Sequence, residues 1–566
     1  MNKLATQDYI VFLIYFVIVS AYGLWIYNRK RAKTQEHGAS KDYFLAEGSL
    51  TWWAIGASLI ASNISAEQFV GMSGSGFKMG LAIATYEWMA AATLVIVAIF
   101  FIPVYIKNKI FTMPQFLSQR YNGTVAMIMA IFWLLLYVVV NLTSILYLGA
   151  LAVNSISGIS LTTCMYAMAV FAIIITLGGM KVIGYTDVIQ VFFLVLGGLA
   201  TTYLALNLVA EHYGSSGVVS GFNLMTEKAS DHFHMIFERS NPNYMDLPGL
   251  SLLVGGMWIV NLNYWGCNQY ITQRALGADL NTARSGILFA AFLKLLMPLI
   301  VVVPGIAAYV LYQEGNFQTE MLQNGEVNPD RAYPVLLNLL PAGLKGLSFA
   351  ALTAAVVASL AGKANSIATI FTLDVYKKVF NRDASEQKLV SVGKITVVVS
   401  MILAVIIAPH LGIDKKGGFQ YIQEYTGFVS PGIFAMFILG FFWRKTTSNA
   451  ALFATIGGFA ISLLLKFLPQ MMDLSFLGPI GFAVPAGGGV VPAGGALYEI
   501  PFIDRMGIVF VICLIGMYII SMIENADGKK ANGLEVDPKM FKTTTGFAVG
   551  ALIIVGILAA LYTMYW

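Results

Sequence analysis

ASNISAEQFVGMSGSG (61–76) sets Asn63, Ser65, Glu67 and Gln68 inside an otherwise apolar run and follows them with Gly71, Gly74 and Gly76. WIVNLNYWGCNQY (258–270) does the same with Asn261, Asn263, Asn268, Gln269 and Gly266. In lipid an irregular backbone survives only where it is buried in protein or lines a cavity. Both stretches therefore read as membrane helices interrupted at mid-depth. They lie five spans apart, an odd number, so a second repeat built like the first is inverted in the membrane. Inverted repeats with broken helices at a midplane site are the architecture of secondary transporters. Two unrelated kinked helices are the alternative.

The surrounding composition agrees. Of 566 residues 58% are hydrophobic and 11% charged, against about 25% charged in a soluble protein. The apolar residues come in long runs, so the chain reads as an all-α polytopic membrane protein. We count fourteen spans, near 8–27, 50–72, 79–105, 122–153, 160–178, 186–209, 249–271, 286–312, 344–376, 389–409, 419–442, 448–467, 503–523 and 544–565. The first does not read as a signal peptide, because Arg29, Lys30, Arg31 and Lys33 follow its apolar run. With both termini outside, the loops near 28–49, 106–121, 179–185, 272–285, 377–394, 443–447 and 524–543 are cytoplasmic. They hold most of the 34 Lys and Arg, as the positive-inside rule requires. The expected organisation is a first helix with a basic loop (1–49), a five-helix repeat (50–209), an outer loop (210–248), a second five-helix repeat (249–442), and three C-terminal helices (443–566). The last segment carries a Gly- and Pro-rich outer loop in which VPAGG occurs twice, at 484–488 and 491–495.

Several function classes drop out. The net charge of +5 is spread along the chain and marks no nucleic-acid face. The three cysteines and five histidines have neither disulfide nor metal-ligand spacing. No nucleophile elbow, P-loop or metal motif is present, so no enzyme is expected. A charge at membrane depth costs about 2.5–3.5 kcal/mol on insertion scales, so the polar residues there need a reason. Gln68, Glu87, Asn261, Lys294 and Gln423 lie with the aromatics Tyr86, Tyr264, Trp265 and Phe419 near them in sequence. Amides and a carboxylate pair with hydroxyls, and rings stack on the apolar face of a sugar, so the set suits a neutral polyhydroxylated ligand. The same groups could instead satisfy one another between helices. Among the other charges, Lys466 is expected to extend to the interface, Asp374 to be interfacial, and Glu424 to cap or pair within its own span. Glu67 fits either an ion pathway or a stabilising role at the break.

Longer stretches carry a resemblance: DYFLAEGSLTWWAIGASLIASNISAEQFVGMSGSG (42–76), NLTSILYLGALA (141–152), TDVIQVFFLVLGG (186–198), NLNYWGCNQYITQR (261–274), FAAFLKLLMP (289–298) and FQYIQEYTGFVSPG (419–432). Through them the chain resembles the sodium/solute symporter family, most closely its bacterial sodium/galactose, SGLT-type members. The resemblance implies a LeuT-like core of five plus five inverted helices, a hexose of the galactose or glucose class as substrate, sodium as coupling ion, and a multi-pass place in the bacterial inner membrane. It implies sugar contacts at Gln68, Glu87, Asn261, Lys294 and Gln423. Tyr264 matches the aromatic that closes the sugar from the cytoplasmic side, with Trp265 beside it. Met72, Tyr86, Tyr137 and Phe419 match the outer gate and pocket wall. Two positions depart from the family: Ala90 replaces a serine, and Asn263 replaces a tyrosine.

For sodium the resemblance implies the carbonyls of Ala61, Ile64 and Ala355 together with two adjacent serines. Here that pair reads Ala358 and Ser359. Lys363 follows one helical turn after Ser359, on the face shared by Ala355 and Ser359, where the family has an apolar residue. Asp187 matches a family acid at the cytoplasmic approach to the ion. Two outcomes stay open. Lys363 extends to the interface and sodium binds through fewer ligands, or its ammonium pairs with Asp187 and replaces sodium, leaving sodium-independent or proton-linked transport and no ion cofactor. A membrane sugar sensor on the same scaffold is the reading from another functional class. The expected partners are the sugar and the lipid bilayer, without nucleic acid. The sequence carries no sign of oligomeric state.

Overall fold

The computed structural model describes residues 4–31, 50–110, 112–178, 180–323, 325–410, 418–486, 497–528 and 531–566. Lys33, the opening of the 42–76 stretch and most of the VPAGG repeats lie outside them. The regular structure of the described residues is helical apart from two antiparallel two-residue ribbons, Leu322–Gln323 with Glu326–Val327 and Val484–Pro485 with Tyr498–Glu499. Among the described residues ten helices are long and apolar enough to cross a membrane, or eleven if Gly418–Gly427 and Ser430–Phe442, bent by 51°, form one span. Three of the fourteen expected spans are built from shorter helices, Trp52–Asn63, Leu161–Thr176 and Gly256–Gly266.

One apolar run, Glu67–Lys107, is 41 residues long. As a straight helix it would extend about 60 Å, twice a hydrocarbon core. The chain divides it at Gly80, which ends Ser73–Met79 with φ 72°, a conformation that favours glycine. A Cβ there would overlap the His232 backbone. Other helices start where a side chain caps the first free N–H groups. Asp279 accepts from Asn281 and Thr282 at the head of Leu280–Val301. Ser385 does so for Glu386–Ile407, and Thr544 for Thr545–Met564.

Both expected breaks are present. Trp52–Asn63 stops at Ile64, which is extended (φ −82°, ψ 109°), and the chain resumes as a π-helical turn, Glu67–Met72. Gly256–Gly266 stops at Cys267, and Gln269–Leu276 follows. The 51° bend between Gly427 and Ser430 is a third interruption that the sequence analysis did not single out.

The chain forms two compact units. The first comprises Met1–Ala84, Ala130–Phe233 and Gln273–Ile422; the second comprises Thr85–Met129, His234–Thr272 and Gln423–Trp566. The two units interleave along the chain. Within the first unit Trp52–Asn63 crosses Leu280–Val301 at glycines. A Cβ on Gly56 would come within 2.6 Å of the Phe289 ring and 2.7 Å of the Gly286 carbonyl oxygen. Farther along, a Cβ on Gly305 would overlap the Ser73 carbonyl. Small residues permit such backbone approach in membrane bundles, so the eighth span runs along both halves of the broken second span. Leu344–Phe380, the ninth span, is 89% buried across its most apolar window, against 17% for Thr545–Met564. In the first unit it is therefore a central helix, which a helix apolar on all sides must be.

Candidate functional site

The end of Trp52–Asn63 leaves its last carbonyls without helical partners. Ile64 N–H returns to the Ile60 carbonyl, which leaves Ala61, Ser62 and Ile64 to find contacts elsewhere. The Ser359 hydroxyl meets all three, 3.3 Å from Ala61 O, 3.5 Å from Ser62 O and 3.4 Å from Ile64 O. A serine has one proton to donate and serves one of these oxygens at a time. The four oxygens make a set suited to a hard monovalent cation, at the negative end of a helix dipole. Ala61, Ile64 and Ser359 thus come together as expected, joined by Ser62, which the sequence analysis did not include. Ala355 is buried one turn earlier on the ninth span. Ala358, also buried, carries a methyl group and no hydroxyl.

Lys363, one turn beyond Ser359, is buried. Its ammonium donates to Asn141 Oδ1 at 3.3 Å and lies 5.2 Å from the centre of the Tyr137 ring. Asp187 accepts from Ser58 Oγ at 2.7 Å, and Arg274 Nε donates to that hydroxyl at 3.0 Å. Lys363 thus bonds to the Asn141 amide and Asp187 to the Ser58 hydroxyl; the expected pairing of Lys363 with Asp187 stays a proposal. Neither Asn141 nor Arg274 was singled out in the sequence, although both are polar residues within stretches that carry the resemblance.

In the first unit Lys294 donates to Asn63 Oδ1 at the break, and both side chains are buried. The Gln68 carbonyl turns back to accept from Ser65 N at 3.0 Å and Ser65 Oγ at 3.4 Å, which fixes the uncoiled residues. Met72, Tyr137 and Phe419 are buried. Gly71 lets Phe419 lie against the π turn, since a Cβ there would be 2.9 Å from Phe419 N. In the second unit Glu87 and Tyr86 are buried in the first turn of Thr85–Ile96. Asn261 donates to Met257 O at 3.2 Å, and Asn263 to Ser430 Oγ at 3.1 Å. Tyr264 and Trp265 meet edge to face at 5.2 Å. Gln423 is half-buried.

The chain belongs to the sodium:solute symporter family. The Sodium:solute symporter family profile matches residues 43–458. The chain is 46% identical, over 100% of its length and 99% of the relative's, to a sodium/glucose cotransporter of Vibrio parahaemolyticus. It is 33% identical, over 84% of its length and 72% of the relative's, to sodium/myo-inositol cotransporter 2 of Oryctolagus cuniculus. Its fold is that of a Na+-coupled sialic acid symporter solved in a substrate-bound outward-open state, with TM-score 0.73 over 92% of this chain and 98% of that one at 20% identity. A sodium:solute symporter is a transporter and not an enzyme, and sodium is the coupling ion of the family.

The same structure corrects the reading of two outlying charges. Glu424 Oε1 accepts from Lys466 at 2.5 Å and from Arg505 at 3.2 Å. Lys466 therefore pairs across helices instead of extending to the interface, and Glu424 ties three helices of the second unit together. Asp374 pairs with Lys378 at 2.7 Å, one turn away at the end of the ninth span.

Proposed function

We propose that this symporter couples sodium to the uptake of a hexose of the galactose or glucose class by alternating access. The observation that carries the reading is the Ser359 hydroxyl among the carbonyls of Ala61, Ser62 and Ile64, which joins the second span to the ninth through oxygens suited to sodium. Sodium bound there favours whichever conformation offers it that cluster, and differential affinity is how an ion biases a conformational equilibrium. The proposed sugar contacts are Gln68, Glu87, Asn261, Lys294 and Gln423. Lys294, held by Asn63, presents an ammonium, Glu87 presents a carboxylate, and the three amides offer both donors and acceptors. Met72, Tyr86, Tyr137 and Phe419 form the outer gate and pocket wall. Tyr264, braced by Trp265, closes the cytoplasmic side. Fourteen spans, ten of them in two inverted five-helix repeats, with both termini outside the bacterial inner membrane, complete the proposal. The 46% identity to a sodium/glucose cotransporter supports the substrate class.

Lys363, together with Ala358 in place of a second hydroxyl, favours one alternative: sodium-independent or proton-linked transport with the ammonium in the ion's place. Uptake of labelled galactose and glucose into proteoliposomes, with sodium replaced by choline, separates the two. Sodium coupling requires uptake to collapse in choline. Uptake that persists supports the Lys363 alternative, in which Lys363→Ala with Ala358→Ser should create sodium stimulation. No sugar flux in either salt would leave the sensor reading.

A further inference from the structure

The fourteenth span, Thr545–Met564, belongs to neither proposed repeat, and only 17% of its most apolar window is buried. Its C-terminal end is nevertheless tied into the second unit. The Tyr562 hydroxyl donates to Thr85 Oγ1 at 3.1 Å. Just beyond the helix, the carbonyls of Tyr565 and Trp566 accept from Met235 N–H at 2.7 Å and Ile236 N–H at 3.4 Å. The Tyr562 ring also meets Trp88 edge to face, 6.2 Å between ring centres. Thr85 and Trp88 are three residues apart in Thr85–Ile96, so they share one face of that helix. Both meet Tyr562, and that face is therefore docked on the fourteenth span. Thr85 is fully buried and opens the helix, so its partner fixes how the first turn is rotated. Glu87 stands about 200° around the axis from Thr85. It leaves the helix on the side away from Tyr562, and it is buried there.

We propose that Tyr562 is a positioning residue for the sugar site: through Thr85 and Trp88 it sets the rotation of the third span and with it the aim of the Glu87 carboxylate. A helix outside both repeats then contributes to sugar affinity without touching the sugar. Tyr562, Thr85 and Trp88 lie in the second unit, whereas the oxygens around Ser359 lie in the first. The effect therefore falls on the sugar and not on sodium. The inference rests on the reading of Glu87 as a sugar contact.

The test is the initial rate of labelled galactose uptake into proteoliposomes of the full chain, titrated with sugar at saturating sodium. Tyr562→Phe keeps the ring against Trp88 and removes only the hydroxyl. Its galactose KM should rise about fivefold, the scale of one neutral hydrogen bond. Its maximal rate and half-saturating sodium concentration should stay within about twofold of wild type. Thr85→Val should do the same, and the double variant should be no worse than either single, since the two groups act as one contact. Thr85→Ser, which keeps the hydroxyl, should retain the wild-type KM. Should Thr85→Val fail to fold, Tyr562→Phe decides alone. A lower melting temperature with an unchanged KM in Tyr562→Phe is what packing alone predicts, and it overturns the inference. Glu87→Gln separates the two readings. A raised KM there with none in Tyr562→Phe overturns the inference while the sugar contact stands; an unchanged KM in Glu87→Gln overturns both.

Discussion

Ser359→Ala removes one hydroxyl from the four-oxygen cluster and leaves its carbonyls in place. Ser359 is fully buried on the ninth span, and alanine fits its space, so the fold should survive. Its neighbour Ala358 has no hydroxyl to replace it. A hydroxyl's contact with a charged group contributes about 1.5–3 kcal/mol on the scale of charge-assisted hydrogen bonds. At about 1.4 kcal/mol per decade this amounts to roughly tenfold to a hundredfold in sodium affinity. The assay is the initial rate of labelled galactose uptake into proteoliposomes, titrated with sodium at saturating sugar. The sodium concentration for half-maximal rate should rise by that factor. The sugar KM, measured at saturating sodium, should stay within about twofold of wild type, since Ser359 makes no proposed sugar contact. Ser359→Ala with unchanged sodium dependence and a normal melting temperature would refute the assignment of the cluster to sodium.

Three further outcomes follow from other contacts. Lys294→Met removes the ammonium held by Asn63 and should raise the sugar KM by about tenfold or more; a sugar titration at saturating sodium checks it. Glu424→Gln leaves Arg505, 7% exposed, without its ion pair. It should cost about 3–5 kcal/mol, read as a lower unfolding temperature, and an unchanged melting curve would contradict that. Asp279→Ala removes a helix cap and should cost about 1 kcal/mol. Hydrogen bonds from the Thr282 side chain and backbone hold this carboxyl below its usual range. A depressed folded-state value means that its contribution is full above the ordinary carboxylate range and is lost as pH falls through the lower folded value. The difference between wild type and variant in a pH series of melts should therefore close on the acid side.

The breaks were legible almost to the residue. Asn63 to Gln68, and Asn261 to Gln269, are polar residues with glycine in runs that lipid otherwise requires to be apolar, and broken helix was the reading that explained both. The bend at Gly427–Ser430 was hidden because FQYIQEYTGFVSPG is also a plausible continuous amphipathic helix. Partners across helices were not legible. Lys363 was placed on the ion-facing stripe by helical spacing, which is local. That it meets Asn141, while Ser58 stands between Asp187 and Arg274, depends on how separate spans are rotated against each other. Glu424 illustrates the same limit, since its cations come from helices that follow 42 and 81 residues later in the chain. Ser62 joined the oxygen set through a carbonyl, which carries no side-chain signature at all.

The account stands on sodium driving the sugar. Proteoliposomes loaded with the same labelled galactose concentration inside and out, then given an inward sodium gradient, measure this directly. Galactose should accumulate inside above its starting concentration and return to equality when the sodium gradient is dissipated. Galactose that stays at equal concentration on both sides, whatever the sodium gradient, would contradict the account.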